Sequence, residues 1–261
     1  WRARCSGGSS SVGRSILRRV HWHPDLPAAL RELPLGPLRE ALDDADAWVV
    51  GGWVRDVLLR RGAGPDVDIA VEGELEPVLE RLGAGPDVEV HDRHVRFGTA
   101  TVRIGELHAD LARTRRETYS RPGALPDVEP ASIEEDLARR DFTVNAMALR
   151  VAGPHDLLAL RDGGRDLAER VLRVLHDASF RDDPTRAIRG ARYAARLQLE
   201  PEARTRELLS QTDLGTVSAD RRDAELSRLA REDEAPRGFR LLDEWRVLPV
   251  PAERLDLIEE V

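Results

Sequence analysis

The 261 residues carry 40 Lys and Arg against 48 Asp and Glu, a net charge of −8, with a single cysteine. That length allows one or two domains with a real core; Cys5 alone excludes an internal disulfide framework and a cysteine-rich zinc site. No apolar run is long enough to span a membrane, so the default location is the cytoplasm. The acidic total argues against a uniformly basic nucleic-acid binder, but arginines cluster at Arg113–Arg121, Arg139–Arg140 and Arg181–Arg196. A local cationic cleft is compatible with the acidic whole.

Residues 1–30 begin with Trp1 rather than an initiator and are rich in Ser, Gly and Arg; they read as a disordered extension without a targeting signal. A helix is expected around Leu38–Ala45. The run Trp48-Val49-Val50 reads as a short buried strand, and Val54, Val57 and Leu58 recur at helical spacing after Gly51-Gly52. Glycines between a strand and a helix let backbone N–H groups approach an anion, and Arg55 can add a forked donor to a phosphate. Such a pair alone is most often just a turn.

Asp66-Val-Asp-Ile-Ala-Val alternates as a half-buried strand does, placing Asp66 and Asp68 on one face and Val67, Ile69 and Val71 on the core side. Two carboxylates so placed repel unless a hard cation such as Mg²⁺ lies between them; two solvated acids on an exposed edge are the bland alternative. In Leu107-His-Ala-Asp-Leu-Ala the same alternation puts His108, Asp110 and Ala112 on one face, so Asp110 can join the pair. Three such acids can hold divalent ions and activate a hydroxyl for attack on a phosphoryl group.

The segment Ser120–Pro130 has too many breakers for a helix and reads as a loop, a hinge or a connector. Ser132-Ile-Glu-Glu135 is a capping box starting a helix that runs toward Arg139, Arg140 and Asp141. From Asp156 onward the pattern turns helical. Asp183 is placed to cap a helix with Pro184 at its first position, giving Arg186, Arg189 and Arg192 as one stripe and Ile188, Ala191, Ala195 and Leu197 as a core face. Further helices are expected at Arg222–Ala230 and Gly238–Leu248.

Taken in order, Gly51-Gly52-x-Val54-Arg55-Asp56, Asp66-x-Asp68, Thr114-Arg-Arg-Glu-Thr-Tyr119, Arg139-Arg140-Asp141-Phe142-Thr143-Val144-Asn145-Ala146-Met147-Ala148 and Asp182-Asp183-Pro184-Thr185-Arg186 resemble the class II tRNA nucleotidyltransferases (CCA-adding enzymes) and the related bacterial poly(A) polymerases. These lie within the DNA polymerase β-like nucleotidyltransferase superfamily, and the resemblance covers roughly residues 47–197, more loosely to 248. It implies an α+β fold: a small mixed-sheet nucleotidyltransferase head (residues 31–155) followed by an all-helical neck (156–261), with further helical body and tail domains missing from a truncated or short chain.

The resemblance also implies template-independent addition of CMP or AMP, from CTP and ATP, to the 3′ end of tRNA, with Mg²⁺ held by Asp66, Asp68 and Asp110. Gly51, Gly52, Arg55 and Arg140 would serve the triphosphate, Asp141 and Asn145 the ribose, and Asp183 with Arg186 the Watson–Crick edge of the base, with Arg189 and Arg192 near nucleotide or phosphate. Where the family usually has Glu, this chain has Asp182, which is expected to alter how Asp183 and Arg186 are braced. Poly(A) addition to general RNA is the alternative enzyme reading, and a non-catalytic nucleotide- or RNA-binding module a third.

Overall fold

A computed structural model describes residues 17–19, 25–33, 35–42, 45–61, 64–85, 87–94, 98–152 and 157–251. One eight-stranded sheet organises the N-terminal part: β1 (Leu17–Arg19), β2 (Asp46–Val50), β3 (Asp66–Glu72), β4 (Val88–His94), β5 (Thr99–Ile104) and β6 (Leu107–Arg113). After a separate hairpin of β7 (Arg115–Thr118) and β8 (Asp127–Pro130), it is completed by β9 (Met147–Arg150) and β10 (Leu157–Leu160). The order is β1-β10-β9-β2-β3-β6-β5-β4, antiparallel throughout except for the parallel pair β3–β6. That pair sets Asp68 directly beside Asp110.

The two faces of the sheet are treated differently. Val49, Val67, Ile69, Val102, Ala109 and Leu111 are buried in the main core under α1 (Asp25–Glu32), α2 (Gly36–Ala41), α3 (Gly52–Leu58) and α4 (Glu76–Gly83). On the other face, α5 (Ile133–Ala138) covers Trp48, Val50, Ala70, Ala148 and Leu158 in a second, smaller cluster. The cover ends there, leaving Asp66, Asp68, His108 and Asp110 exposed on the same face, as alternation along β3 and β6 requires.

Beyond the sheet lie α6 (Gly163–Ala168), α7 (Ser179–Asp182), α8 (Thr185–Leu197), α9 (Ala203–Ser210), α10 (Ala219–Ala230) and α11 (Ala235–Glu244). Helix α8 is central: only Arg189, Arg192 and Arg196 of its residues escape burial, while Gly190 packs on Phe142 so closely that an added Cβ would lie 2.9 Å from Cζ. Phe142 in turn meets Phe180 and Tyr193, each at 6.2 Å between ring centroids. These contacts join the helices to the end of the sheet.

Several expectations are corrected. Leu17–Arg19 pair with β10, and Asp25–Glu32 form a helix, so residues 17–19 and 25–32 are structured rather than a disordered extension; residues 1–16 and 20–24 lie outside the described residues. The helix expected at Leu38–Ala45 begins at Gly36 and ends at Ala41, with residues 43–44 outside the described ones.

Helical structure does not begin at Asp156, which is also outside them: Leu157–Leu160 is a strand buried on both faces, and a four-residue apolar run is ambiguous by periodicity alone. The neck is not all-helical, since β11 (Val171–Leu172) and β12 (Glu200–Pro201) pair in parallel. The last helix stops at Glu244, where Arg246 takes a positive φ, rather than at Leu248. Within Ser120–Pro130, residues 127–130 are strand rather than loop, and Gly123 fits so tightly that a Cβ would lie 2.3 Å from the Thr216 carbonyl.

Candidate active site

The exposed end of the acidic face opens into a cleft of about 1110 Å³ walled by α3, α5, α8 and α10, together with the segment after α5. Asp68 and Asp110 both line it; Asp66, at the start of β3, does not. Burial raises the proton affinity of Asp68, and Asp110 and Asp66 raise it further, against the opposing charge of Arg140. Burial is the larger cause, and the repulsion added by the two acids is what a bound cation would relieve. Asp110 is held differently, accepting a 2.6 Å bond from Thr101 Oγ1 on β5.

The glycine turn works through shape rather than through its first donor. Gly51 sits at φ +70° and ψ −127°, a region closed to other residues, and its N–H goes to the Met147 carbonyl at 3.3 Å. A Cβ there would lie 3.2 Å from Arg140 Nη1 and 3.8 Å from Asp68 Oδ2, so the missing side chain is what lets Arg140 reach over the turn toward the acid. Gly52 opens α3, where a Cβ would lie 3.4 Å from Arg55 Nη2.

Arg55 is only 2% exposed and fully engaged: it donates to both oxygens of Asp56 at 2.8 and 3.0 Å and to Asn145 Oδ1 at 2.6 Å. These bonds tie Arg55 to the turn and to Asn145, and it also lines the cleft.

The capping box on α5 is present as expected, Ser132 accepting from the Glu135 N–H and Glu135 from the Ser132 N–H. Buried Asp136 on that helix receives Arg139 at 2.8 and 3.0 Å and Arg140 at 3.0 Å. Burial would raise its proton affinity, but the two cations win and lower it.

Asp141 is likewise buried: Oδ1 accepts from the Phe142 N–H at 2.8 Å and Asn145 Nδ2 at 3.1 Å, and Oδ2 pairs with Arg189 at 2.8 Å. Burial again opposes ionisation and the Arg189 guanidinium overcomes it, holding Asp141 below the usual carboxylate range. Asp141 and Asn145 line the cleft, but each is tied into this network.

Asp183 accepts from the Thr185 N–H at 3.1 Å, as a cap does, although the helical bounds of α8 begin at Thr185; it also pairs with Arg221 at 3.0 Å. Arg186 is buried and donates to Ser179 Oγ, Tyr119 OH and the Arg139 carbonyl at 3.0, 3.4 and 2.7 Å. Asp182 pairs with Arg181 at 3.8 Å, and among the described residues no bond links it to Asp183 or Arg186.

The arginine stripe is not a solvated face. Arg189 and Arg192 donate to the Tyr193 hydroxyl at 2.9 and 3.4 Å, and the guanidiniums of Arg55, Arg189 and Arg192 lie 5.6, 5.6 and 4.7 Å from its ring centre.

Tyr193, Asp136 and Thr101 stand in none of the motifs read from the sequence, and Glu117 stands there only as one position of Thr114–Tyr119, with no role of its own. Asp136 carried a legible signal, standing three and four residues before Arg139 and Arg140 on one helix. Glu117 accepts from Arg139 at 2.9 Å and from Tyr119 at 2.8 Å, partners 22 and 2 residues away. Burial and Glu117 push the Tyr119 phenol up to about 12 against the pull of Arg186. No pattern along the chain announces these pairings.

Register-paired acids on an open sheet face, a glycine turn entering a helix beside them and an arginine-rich helix roofing the cleft are thus gathered in one place. Residues 47–173 match the family model for the poly A polymerase head domain. The chain is 43% identical over 217 residues to an A-adding tRNA nucleotidyltransferase of Aquifex aeolicus, covering 82% of this chain and 24% of that protein. It is 41% identical over 214 residues to a CC-adding tRNA nucleotidyltransferase of Deinococcus radiodurans, covering 79% and 56%.

A solved tRNA nucleotidyltransferase complexed with a primer tRNA and an incoming ATP analog aligns with a TM-score of 0.71 at 39% identity, over 82% of this chain and 61% of that one. Over most of its own length the chain is therefore similar to members of the tRNA nucleotidyltransferase family. It spans between 24% and 56% of the length of these two curated relatives. Enzymes of this family generally use divalent metal ions. Among the described residues, no helix is long and apolar enough to cross a membrane.

Proposed function

We propose that this chain transfers CMP or AMP from CTP or ATP to the 3′ hydroxyl of tRNA without a nucleic-acid template, releasing pyrophosphate, in the cytoplasm and with Mg²⁺. The observation that carries the proposal is that one cleft contains the Asp68–Asp110 pair, the Gly51 turn with Arg140, and Asp183 with Arg186.

The donor set fits a divalent ion of the magnesium type. Its oxygens are hard, Asp68 is crowded by like charge, and Asp66 lies on the same face. Among the described residues no three His, Cys, Asp or Glu are gathered into a metal-holding group. Asp68 and Asp110 would hold Mg²⁺, with Asp66 on the same face but outside the cleft, and the bound ion would supply charge to offset the triphosphate and acidify the primer hydroxyl.

The protein's own residues do the rest. Arg140, held by Asp136 beside the Gly51 turn, presents a fixed cation to the triphosphate. Asn145 and Asp141, anchored through Arg55 and Arg189, set the ribose side of the cleft. Asp183 offers acceptors and Arg186 donors, the combination needed to tell amino-bearing cytosine and adenine from uracil and guanine. Arg186 gives three bonds to its supports and so reads from a rigid position. Contacts to RNA phosphate through such arginines make binding weaken with salt.

Asp68→Ala tests the reading: incorporation of labelled nucleotide should vanish while circular dichroism remains native and unfolding remains cooperative. A variant retaining substantial incorporation would overturn the assignment of the acids.

A further inference from the structure

We infer that Thr101 is a positioning residue for the transfer reaction, fixing the carboxylate of Asp110. This inference rests on the proposed function and adds a residue that neither the motifs nor the acidic pattern single out.

Thr101 stands on β5 directly opposite Asp110 on β6, and Asp110 stands directly beside Asp68 on β3, so the three form one row across the open face. In that row Thr101 Oγ1 donates to Asp110 Oδ1 at 2.6 Å. It is the one bond to this carboxylate among the described residues, whereas Asp68 has the Arg140 charge beside it. A carboxylate on a sheet face turns easily about its last torsion, while a β-branched threonine is stiff at χ1. The hydroxyl therefore acts as a rigid donor that spends its single hydrogen on Oδ1 and leaves Oδ2 as the freer ligand.

The pair lies within the cleft together with its neighbours. Thr99, Thr101, His94 and Asp92 line the same cleft as Asp68 and Asp110. Donors that orient a metal-binding carboxylate from behind typically change metal affinity or activity 10- to 100-fold when removed. The row is open to water, so about tenfold is expected.

The experiment compares Thr101→Val, which keeps the shape and loses the hydroxyl, with Thr101→Ser, which keeps the hydroxyl. Single-nucleotide addition to tRNA is measured against Mg²⁺ concentration, and Mn²⁺ alone is titrated by electron paramagnetic resonance. Thr101→Val should lower kcat about tenfold and raise the Mg²⁺ midpoint and Mn²⁺ Kd by a similar factor, with the nucleotide KM little changed. Thr101→Ser should restore all three to within about threefold of the unsubstituted chain.

Equal rates and equal Mn²⁺ affinity for Thr101→Val and the unsubstituted chain would overturn the inference. So would a Thr101→Ser variant as impaired as Thr101→Val, because the methyl group rather than the hydroxyl would then matter. If the unsubstituted chain adds no nucleotide, the proposed function fails, and the Mn²⁺ titration still decides whether Thr101 orders Asp110.

Discussion

Removing Asp141 should be the most damaging single change in the cleft wall, because three donors and the Arg189 charge converge on it. Asp141→Ala strands the Phe142 N–H, Asn145 Nδ2 and Arg189 Nε, while Arg189 Nη2 keeps the Tyr193 hydroxyl. Breaking a buried ion pair by deleting one partner costs about 3–5 kcal/mol; the Arg189 side chain is 33% exposed and recovers some hydration, so about 3 kcal/mol is expected. For a chain of this size that corresponds to a fall of roughly 6–12 °C in Tm, read by calorimetry or urea unfolding.

Adding Arg189→Met to Asp141→Ala should regain part of the loss by removing the stranded cation. The pH dependence follows from the lowered proton affinity of Asp141. The stability it contributes is complete above the unfolded-state pKa of about 3.9 and disappears as pH falls through the lower folded-state value. A Tm within about 2 °C of the unsubstituted chain, or a double variant worse than the single, would refute this account of the network.

Three further outcomes are expected. Gly51→Ala should cost about 1–3 kcal/mol through its forbidden φ and also raise the nucleotide KM by displacing Arg140, with urea unfolding and steady-state kinetics as the checks. Gly190→Ala should lower stability by about 1–3 kcal/mol through overpacking on Phe142, measured by thermal unfolding, while Ala191→Gly on the same helix should cost about 1 kcal/mol by propensity.

Without divalent ions, Asp68→Asn should melt higher than the unsubstituted chain at pH 7. The raised folded-state pKa means that ionised Asp68 destabilises there, so the difference should vanish below about pH 4, and Mg²⁺ should raise the Tm of the unsubstituted chain but not that of the variant.

What could be read along the chain was local. Alternation along β3 and β6 placed Asp66, Asp68 and Asp110 on one exposed face, and the Ser132 capping box marked the start of α5 at the right residue. Strand partners and ion pairs are set by distant residues and could not be read this way. Leu157–Leu160 gained its strand identity from β9 and β1 on either side, and Leu17–Arg19 sat within a segment whose composition resembles disorder.

The arginines show the same limit most clearly. Arg55 meets Asn145 across 90 positions and Arg189 meets Asp141 across 48, so the partners that hold these arginines in the cleft wall are not legible along the chain. Tyr193 was hidden for a related reason: its place in the core face of α8 conceals that three guanidiniums gather around it.

The most direct test of the central claim is incorporation of labelled CTP and ATP, separately and together, into tRNA lacking its terminal CCA, tRNA ending in CC, and an unrelated RNA. Addition of one to three nucleotides confined to tRNA is the predicted result, and the acceptor used identifies which part of CCA the chain makes. Long A-tracts on any RNA, or no incorporation at any Mg²⁺ concentration, would contradict it.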